Sequence, residues 1–103
     1  MKRLMIQQGD VLLRRVNESA NEGKTIARGK CVIAHGESGH SHTVENDEAE
    51  LIQIGDRMLL KLGQPATLKH QEHKEIMLEP ALYEISRVNE YDYLSKMTRK
   101  VTD

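Results

Sequence analysis

Residues 50–62 read Glu-Leu-Ile-Gln-Ile-Gly-Asp-Arg-Met-Leu-Leu-Lys-Leu, two apolar-rich runs on either side of Gly55-Asp56. A glycine at the first position of a two-residue loop suits a type II′ turn, which joins antiparallel strands. The stretch therefore predicts a β-hairpin. Short β-prone runs separated by turn signals recur along the rest of the chain. This pattern predicts an all-β domain, a small antiparallel β-sandwich or barrel.

Further strands are expected on both sides of this hairpin. Branched aliphatic residues and flanking turn signals predict strands over Asp10–Val16, Thr25–His35 and Ala66–Glu72. Gly29 interrupts the second of these runs and predicts a β-bulge, because a lone glycine in a strand often marks one.

Turns are predicted where polar and acidic residues cluster. Asn46–Ala49 is expected to form an acidic turn, and His73–Glu75 is a second candidate turn. The C-terminal residues 90–103 change character and become strongly charged. Their apolar residues follow helical spacing, which allows a short terminal helix; an exposed arm that packs on a partner subunit is equally allowed. The apolar residues concerned are Leu94, Met97 and Val101.

The size and composition predict one small domain over residues 1–103. The chain has 103 residues, of which 38% are hydrophobic, with neither Phe nor Trp. A core built from Val, Ile, Leu, Met and Ala alone is thin, and association would stabilise it. We therefore expect a homo-oligomer.

The charge balance argues against a general nucleic-acid binder. The 15 basic and 16 acidic residues nearly cancel and give a net charge of −1, whereas phosphate binding needs a concentrated basic surface.

The apolar run Leu4–Ile6 is too short for a signal peptide or membrane span. We expect a soluble, cytoplasmic protein. Cys31 is the only cysteine, which excludes an intrachain disulfide and cysteine-rich zinc ribbons, and a buried thiol is its commonest fate.

The histidines carry the strongest functional signal. All five lie in two groups, one within residues 35–42 and one within residues 70–73. If Gly36–Gly39 forms the loop of a hairpin, His35 faces His40 across the two strands, at a Cβ separation of roughly 5 Å. Alternation places His40 and His42 on one face, so a single hairpin could gather three imidazoles.

Such a group predicts binding of a divalent transition metal, with zinc, iron, nickel and manganese as candidates, since imidazole and carboxylate suit these ions. With an open coordination position, bound water would become a hydroxide source near neutral pH. A metal-dependent hydrolase or oxygenase is then the class to test, although the sequence specifies neither a reaction nor a small-molecule substrate. The candidate metal ligands are His35, His40, His42, Glu48, His70 and His73.

Two other interpretations remain open. The histidine segment could be a solvated surface loop of an interaction module, in which residues 91–101 dock a protein partner. Alternatively, the chain could be a nucleic-acid accessory protein, whose binding would depend steeply on salt. The basic residues available for that role are Arg14, Arg15, Arg87, Arg99 and Lys100.

The region from His40 to Asn89 resembles a cupin. His40-Ser-His42, Glu48 and Gly55 follow the order of the first cupin motif, and Pro80 and Asn89 match the ends of the second. The resemblance implies a β-barrel of the double-stranded β-helix type, often dimeric, with a divalent metal held by His40, His42 and Glu48. The fourth ligand position falls on Ile85, so His70 or His73 would replace it. The stretch His-Gly-Glu-Ser-Gly-His-Ser-His, residues 35–42, also resembles small bacterial or phage proteins of no assigned function.

Overall fold

A computed structural model describes residues 5–20, 22–35 and 41–87, with the side chain of His35 left outside the description. These residues form strands and turns without any helix, so the all-β prediction is confirmed. The strands are β1 (Met5–Gln8), β2 (Val11–Arg15), β3 (Lys24–His35), β4 (Ser41–Ile54), β5 (Arg57–Leu62), β6 (Ala66–His70), β7 (His73–Leu78) and β8 (Ala81–Arg87).

The strands form one antiparallel sheet that curls into a nearly closed barrel. The order along the sheet is β1-β2-β8-β5-β4-β6-β7, and β3 pairs with β4 in addition. The two ends of this path, β1 and β7, approach each other. Curling covers the apolar face of the sheet and brings strands that are distant in sequence to the same side of the barrel.

Two glycine predictions are confirmed. Ile54 pairs with Arg57, and Gly55 in the turn between them has φ +61, the sign that the first position of a primed hairpin turn requires. Gly29 has φ +81 and lies at a register shift between Arg28 and Lys30. It therefore occupies the predicted β-bulge, where a residue without Cβ adopts a positive φ at little cost.

The predicted acidic turn at Asn46–Ala49 is wrong, because β4 runs from Ser41 to Ile54 without a break. The acidic side chains Glu45, Asp47 and Glu48 point to solvent, while Val44 and Ala49 are buried. Asn46 accepts a hydrogen bond from the Glu48 backbone N–H and donates one to the Pro65 carbonyl. A polar outer face was thus mistaken for a loop.

The predicted turn at His73–Glu75 is also wrong by position. β6 ends at His70 and β7 begins at His73, so the chain turns at residues 71 and 72. His70 and His73 consequently face each other as a register pair. This pairing places the two imidazoles side by side.

The register of β3 on β4 differs from the one expected for the histidine hairpin. His35 pairs with Ser41, and Ala34 pairs with His42. A register shift between Val32 and Ala34 moves the pairing by one residue relative to simple alternation. The predicted pairing of His35 with His40 is therefore wrong, and the loop residues 36–40 lie outside the described part of the chain.

β1 was not anticipated from the sequence. Its residues pair with β2 from Met5–Arg14 to Gln8–Val11. Ile6 and Gln8 are buried, while Met5 and Gln7 are exposed. The strand therefore carries a glutamine into the interior.

The core is aliphatic with one aromatic residue. Tyr83 is buried, and its hydroxyl donates a 2.7 Å hydrogen bond to the Glu79 carbonyl. Cys31 is buried as a free thiol, as expected for a lone cysteine. The other residues of the main core cluster are Ile6, Val11, Leu13, Ile33, Ala34, Val44, Ala49, Leu51, Leu60, Leu62, Ala66, Leu68 and Leu78.

The predicted C-terminal helix or arm, residues 90–103, lies outside the described residues. Within the described ranges, no helix is long and apolar enough to cross a membrane. The expected homo-oligomer stays a prediction.

Candidate functional site

Three imidazoles meet at one end of the barrel and are called the histidine cluster: His42 on β4, His70 on β6 and His73 on β7. The ring centroids of His42 and His70 are 4.3 Å apart, those of His70 and His73 4.6 Å, and those of His42 and His73 6.0 Å. Strand pairing explains the cluster. Thr43 pairs with Lys69, which brings the preceding His42 beside His70, and His70 pairs with His73.

The cluster extends from the interior to the surface. His42 is only 1% exposed, His70 is half-buried and His73 is exposed. A charged imidazole is costly to bury, so the environment of His42 decides the chemistry of the site.

A buried glutamine fixes the orientation of His42. Gln8 is 3% exposed, and its amide nitrogen donates to the carbonyls of Leu68 at 3.0 Å and Lys74 at 2.9 Å. These two acceptors define which end of the amide is nitrogen, so Oε1 faces Nδ1 of His42 at 2.9 Å. An amide oxygen only accepts, and Nδ1 of His42 must therefore carry a proton.

The second ring nitrogen of His42 then has an unshared electron pair whenever the ring is neutral. Burial lowers the pKa of His42, and neighbouring His70 lowers it further, against the opposing effect of Asp10. Since the ordinary histidine pKa is about 6.5, the ring is neutral at pH 7. Nε2 is then free to bind a cation.

The carboxylate of Asp10 faces this nitrogen. Oδ1 of Asp10 lies 3.4 Å from Nε2 of His42, while Oδ2 accepts a 2.7 Å hydrogen bond from Arg87. Burial raises the pKa of Asp10, but the Arg87 guanidinium, a backbone hydrogen bond and neighbouring His42 together hold the pKa below its ordinary value. Asp10 is therefore ionised, with one oxygen held by Arg87 and the other directed toward the cluster.

The turn that carries Asp10 packs directly against the rings. Gly9 has φ +60, and a Cβ at this position would lie 2.6 Å from Nε2 of His73 and 3.2 Å from Cε1 of His42. Real Cβ atoms do not approach side chains so closely, so a side chain at position 9 would require the exposed ring of His73 to move, in addition to the positive φ that favours glycine.

His70 is engaged in a local hydrogen bond. The backbone N–H of Glu72 donates to Nδ1 of His70 at 3.0 Å. Nδ1 of His70 is thus an acceptor, and the proton of the neutral ring lies on Nε2.

The structure brings three of the predicted metal ligands together and places another far from them. His42, His70 and His73 are brought together, whereas Glu48 is six residues further along β4, roughly 20 Å away at a rise of about 3.3 Å per residue. The Glu48 side chain instead lies beside Gly63. The side chain of His35 and the whole of His40 lie outside the described residues. Ile85, the fourth position in the cupin pattern, pairs with Leu13 and Met58.

Sequence reasoning missed two members of the site, Gln8 and Asp10. The usable signal was the alternation of Ile6 and Gln8, which places the glutamine on the inner face once β1 is recognised as a strand. Asp10 gave no signal, because an aspartate after glycine is an ordinary turn residue.

The residues of the histidine cluster are close together but are not arranged as a coordination sphere. Among the residues that the structure describes, no three His, Cys, Asp or Glu side chains are placed so as to hold a metal ion. The imidazoles are instead held by Gln8, by the Glu72 backbone and by one another.

A family model described as a domain of unknown function (DUF8820) matches residues 7–88. The chain belongs to this family. The matched range contains Gln8, Asp10 and the whole histidine cluster, so the site lies within the DUF8820 domain. Comparison with curated proteins and with solved structures gives no match.

Proposed function

We propose that this protein binds one divalent transition metal ion at the histidine cluster, with His42 as the inner ligand. The observation that carries the proposal is the hydrogen bond between Gln8 and Nδ1 of buried His42. Metal-binding histidines usually donate their other ring N–H to an oxygen acceptor, which fixes the tautomer and aims the free nitrogen. The amide oxygen of Gln8 is this acceptor for His42.

The spacing of the rings supports the proposal. A metal–nitrogen bond of about 2.0–2.1 Å places each ring centroid about 3.2 Å from the ion, so two ligands at 90–109° have centroids about 4.5–5.2 Å apart. The separations of 4.3 and 4.6 Å on either side of His70 are close to this range. The 6.0 Å between His42 and His73 is wider.

Coordination requires limited rearrangement on the exposed side. His70 must give up the hydrogen bond from Glu72 or turn its ring, which costs about 1 kcal/mol. Metal binding to protein sites provides about 10 kcal/mol or more in favourable cases. His73 is exposed and begins β7, so its ring is free to turn toward the ion without disturbing the core.

The donor set indicates the class of metal and chemistry. Imidazoles suit zinc, iron and nickel, and manganese becomes a candidate when a carboxylate takes part. A bound ion with an open position would supply a metal-activated water or bind oxygen, so metal-assisted hydrolysis and oxygen chemistry are the reactions to test. A barrel with a histidine-held metal is also what the cupin resemblance implies, although our ligands differ, since His70 and His73 replace Glu48 and Ile85.

Calorimetric titration of untagged, metal-free protein tests the proposal. We expect one Zn²⁺ per chain in the wild type and at least a tenfold loss of affinity in His42→Gln and in a His70→Gln, His73→Gln double variant. A His35→Gln, His40→Gln variant is the matched comparison, because it removes the hairpin ligands predicted from the sequence. Absence of binding in the wild type, or unchanged binding in both cluster variants, contradicts the proposal.

A further inference from the structure

We infer that Asp10 is a further ligand of this metal site, supplying one carboxylate oxygen beside Nε2 of His42, so that the site has mixed nitrogen and oxygen donors. The inference rests on the proposed metal binding. It adds a residue from the β1–β2 turn to a cluster built by β4, β6 and β7.

The separation of the two donor atoms fits two ligands of one ion. Donors at about 2.0–2.2 Å from a common ion, at angles of 90–109°, lie about 2.9–3.5 Å apart. Oδ1 of Asp10 and Nε2 of His42 are 3.4 Å apart. A direct charge-assisted hydrogen bond would be shorter, about 2.7–2.9 Å.

The other contacts of the two side chains leave these two atoms facing each other. Gln8 accepts from Nδ1 of His42, so Nε2 is the ring nitrogen directed at Oδ1 of Asp10. The facing oxygen belongs to an ionised carboxylate held by Arg87. A ring nitrogen and a carboxylate oxygen at this separation, the nitrogen on a side chain that is 1% exposed, are placed to share one cation.

Arg87 has the geometry of an outer-shell partner. It binds Oδ2 of Asp10 at 2.7 Å and so leaves Oδ1 directed at His42. Hydrogen bonds to the non-ligating oxygen orient carboxylate ligands in this manner. Arg87 is thus a positioning residue in this arrangement, and Asp10 is the ligand.

A carboxylate donor has consequences for the choice of metal and for access. Oxygen donors shift preference toward Fe²⁺, Mn²⁺, Co²⁺ and Zn²⁺ and away from soft ions such as Cu⁺. The Asp10 side chain is 47% exposed while His42 is enclosed. The ion would therefore have its open side toward the β1–β2 turn, where water can reach it.

The visible spectrum of Co²⁺ tests the inference directly, because d–d bands respond to the identity and number of ligands. The variant is Asp10→Asn, which keeps the size of the side chain and an oxygen that accepts from Arg87. The matched control is Asp56→Asn, since Asp56 lines a surface cavity together with Arg87. We expect Asp10→Asn to shift the bands and weaken Co²⁺ binding at least tenfold, since losses of outer-shell partners alone cost 10–100-fold. Asp56→Asn should match the wild type.

The outcomes separate the two proposals. If the wild type and Asp10→Asn bind Co²⁺ with the same spectrum and affinity, Asp10 is not a ligand while the histidine site stands. If Asp56→Asn weakens binding as much as Asp10→Asn without a band shift in either, the effect is one of general charge, and the inference is wrong. If the wild type takes up no Co²⁺, both proposals are overturned.

Discussion

Gln8 and His42 are joined by a 2.9 Å hydrogen bond between the amide oxygen and Nδ1, in the interior of the barrel. The same amide donates to the carbonyls of Leu68 and Lys74. One side chain of β1 thereby contacts β4, β6 and β7, where the two ends of the sheet approach each other. Gln8 thus links the two ends of the sheet, and it also fixes which ring nitrogen carries the proton in the histidine that we propose as the inner metal ligand.

Replacing Gln8 should be costly. Gln8→Ala removes the acceptor of the buried His42 Nδ1–H and one hydrogen bond each to the carbonyls of Leu68 and Lys74, and we expect it to lower the free energy of unfolding by about 2–4 kcal/mol. Gln7→Ala is the matched control, because Gln7 is exposed and its side chain, among the described residues, donates to the nearby Gly9 carbonyl alone; it should cost about 0.5 kcal/mol or less. Urea denaturation measures both. Equal losses in the two variants would show that Gln8 has no special role.

Gly9 and Gly55 form a natural pair for testing contact with the cluster. Both have positive φ, but a Cβ at Gly55 meets nothing within 4 Å, whereas one at Gly9 meets His73 and His42. Gly55→Ala should cost about 1–2 kcal/mol from backbone strain alone. Gly9→Ala should cost a similar amount, because the exposed ring of His73 can move aside, but this displacement should weaken Zn²⁺ binding, which Gly55→Ala should leave unchanged. Denaturation and calorimetry on both variants check this, and identical behaviour would contradict the packing described here.

Parts of the fold could be predicted where a local sequence feature determines the backbone conformation. The Gly55-Asp56 turn and the Gly29 bulge are positions where a positive φ favours glycine, and both were predicted. The turn prediction at Asn46–Ala49 is wrong because Asp47 and Glu48 carry no information about the strands that pair with β4 on either side. β1 was missed because only four residues form it, too few for alternation to stand out.

Three residues of the site, His42, His70 and His73, were among the metal ligands predicted from the sequence. Their proximity depends on the pairing of β4 with β6, a long-range contact that local sequence patterns do not encode. The bulge before Ala34 moved the register of His35, and a one-residue shift is invisible in the sequence. Asp10 and Gln8 join the cluster only because the barrel nearly closes.

Acid should destabilise the protein through Glu84. Hydrogen bonds from Arg57, with a further contribution from Arg14, hold the pKa of Glu84 below its ordinary value despite partial burial. A lowered carboxyl pKa stabilises the fold above the unfolded-state value of about 4.3, and this contribution is lost as the pH falls through the folded pKa.

Glu84→Gln should therefore flatten the fall in unfolding free energy between about pH 5 and pH 3. Glu79→Gln is the control, because Glu79 is 53% exposed against 24% for Glu84 and pairs with Arg15 alone among the ion pairs described. Its pH profile should follow that of the wild type. A Glu84→Gln profile as steep as the wild type would exclude this network as a source of acid sensitivity.

Cys31 should be unreactive in the folded protein. It is buried on β3, and burial, with a smaller effect of Glu50, raises the pKa of its thiol. The thiolate is the reactive form, so a thiol reagent at pH 8 should label native protein far more slowly than protein unfolded in urea. Rapid stoichiometric labelling of the native form would show that β3 is more open than described.

The most direct test of the central claim is an anomalous-scattering map of crystals grown with Zn²⁺. We predict one peak per chain within about 2.3 Å of Nε2 of His42, contacting His70 or His73 and lying on the side of Asp10. A map without any peak at the histidine cluster, or with the ion bound only elsewhere on the chain, would contradict the account.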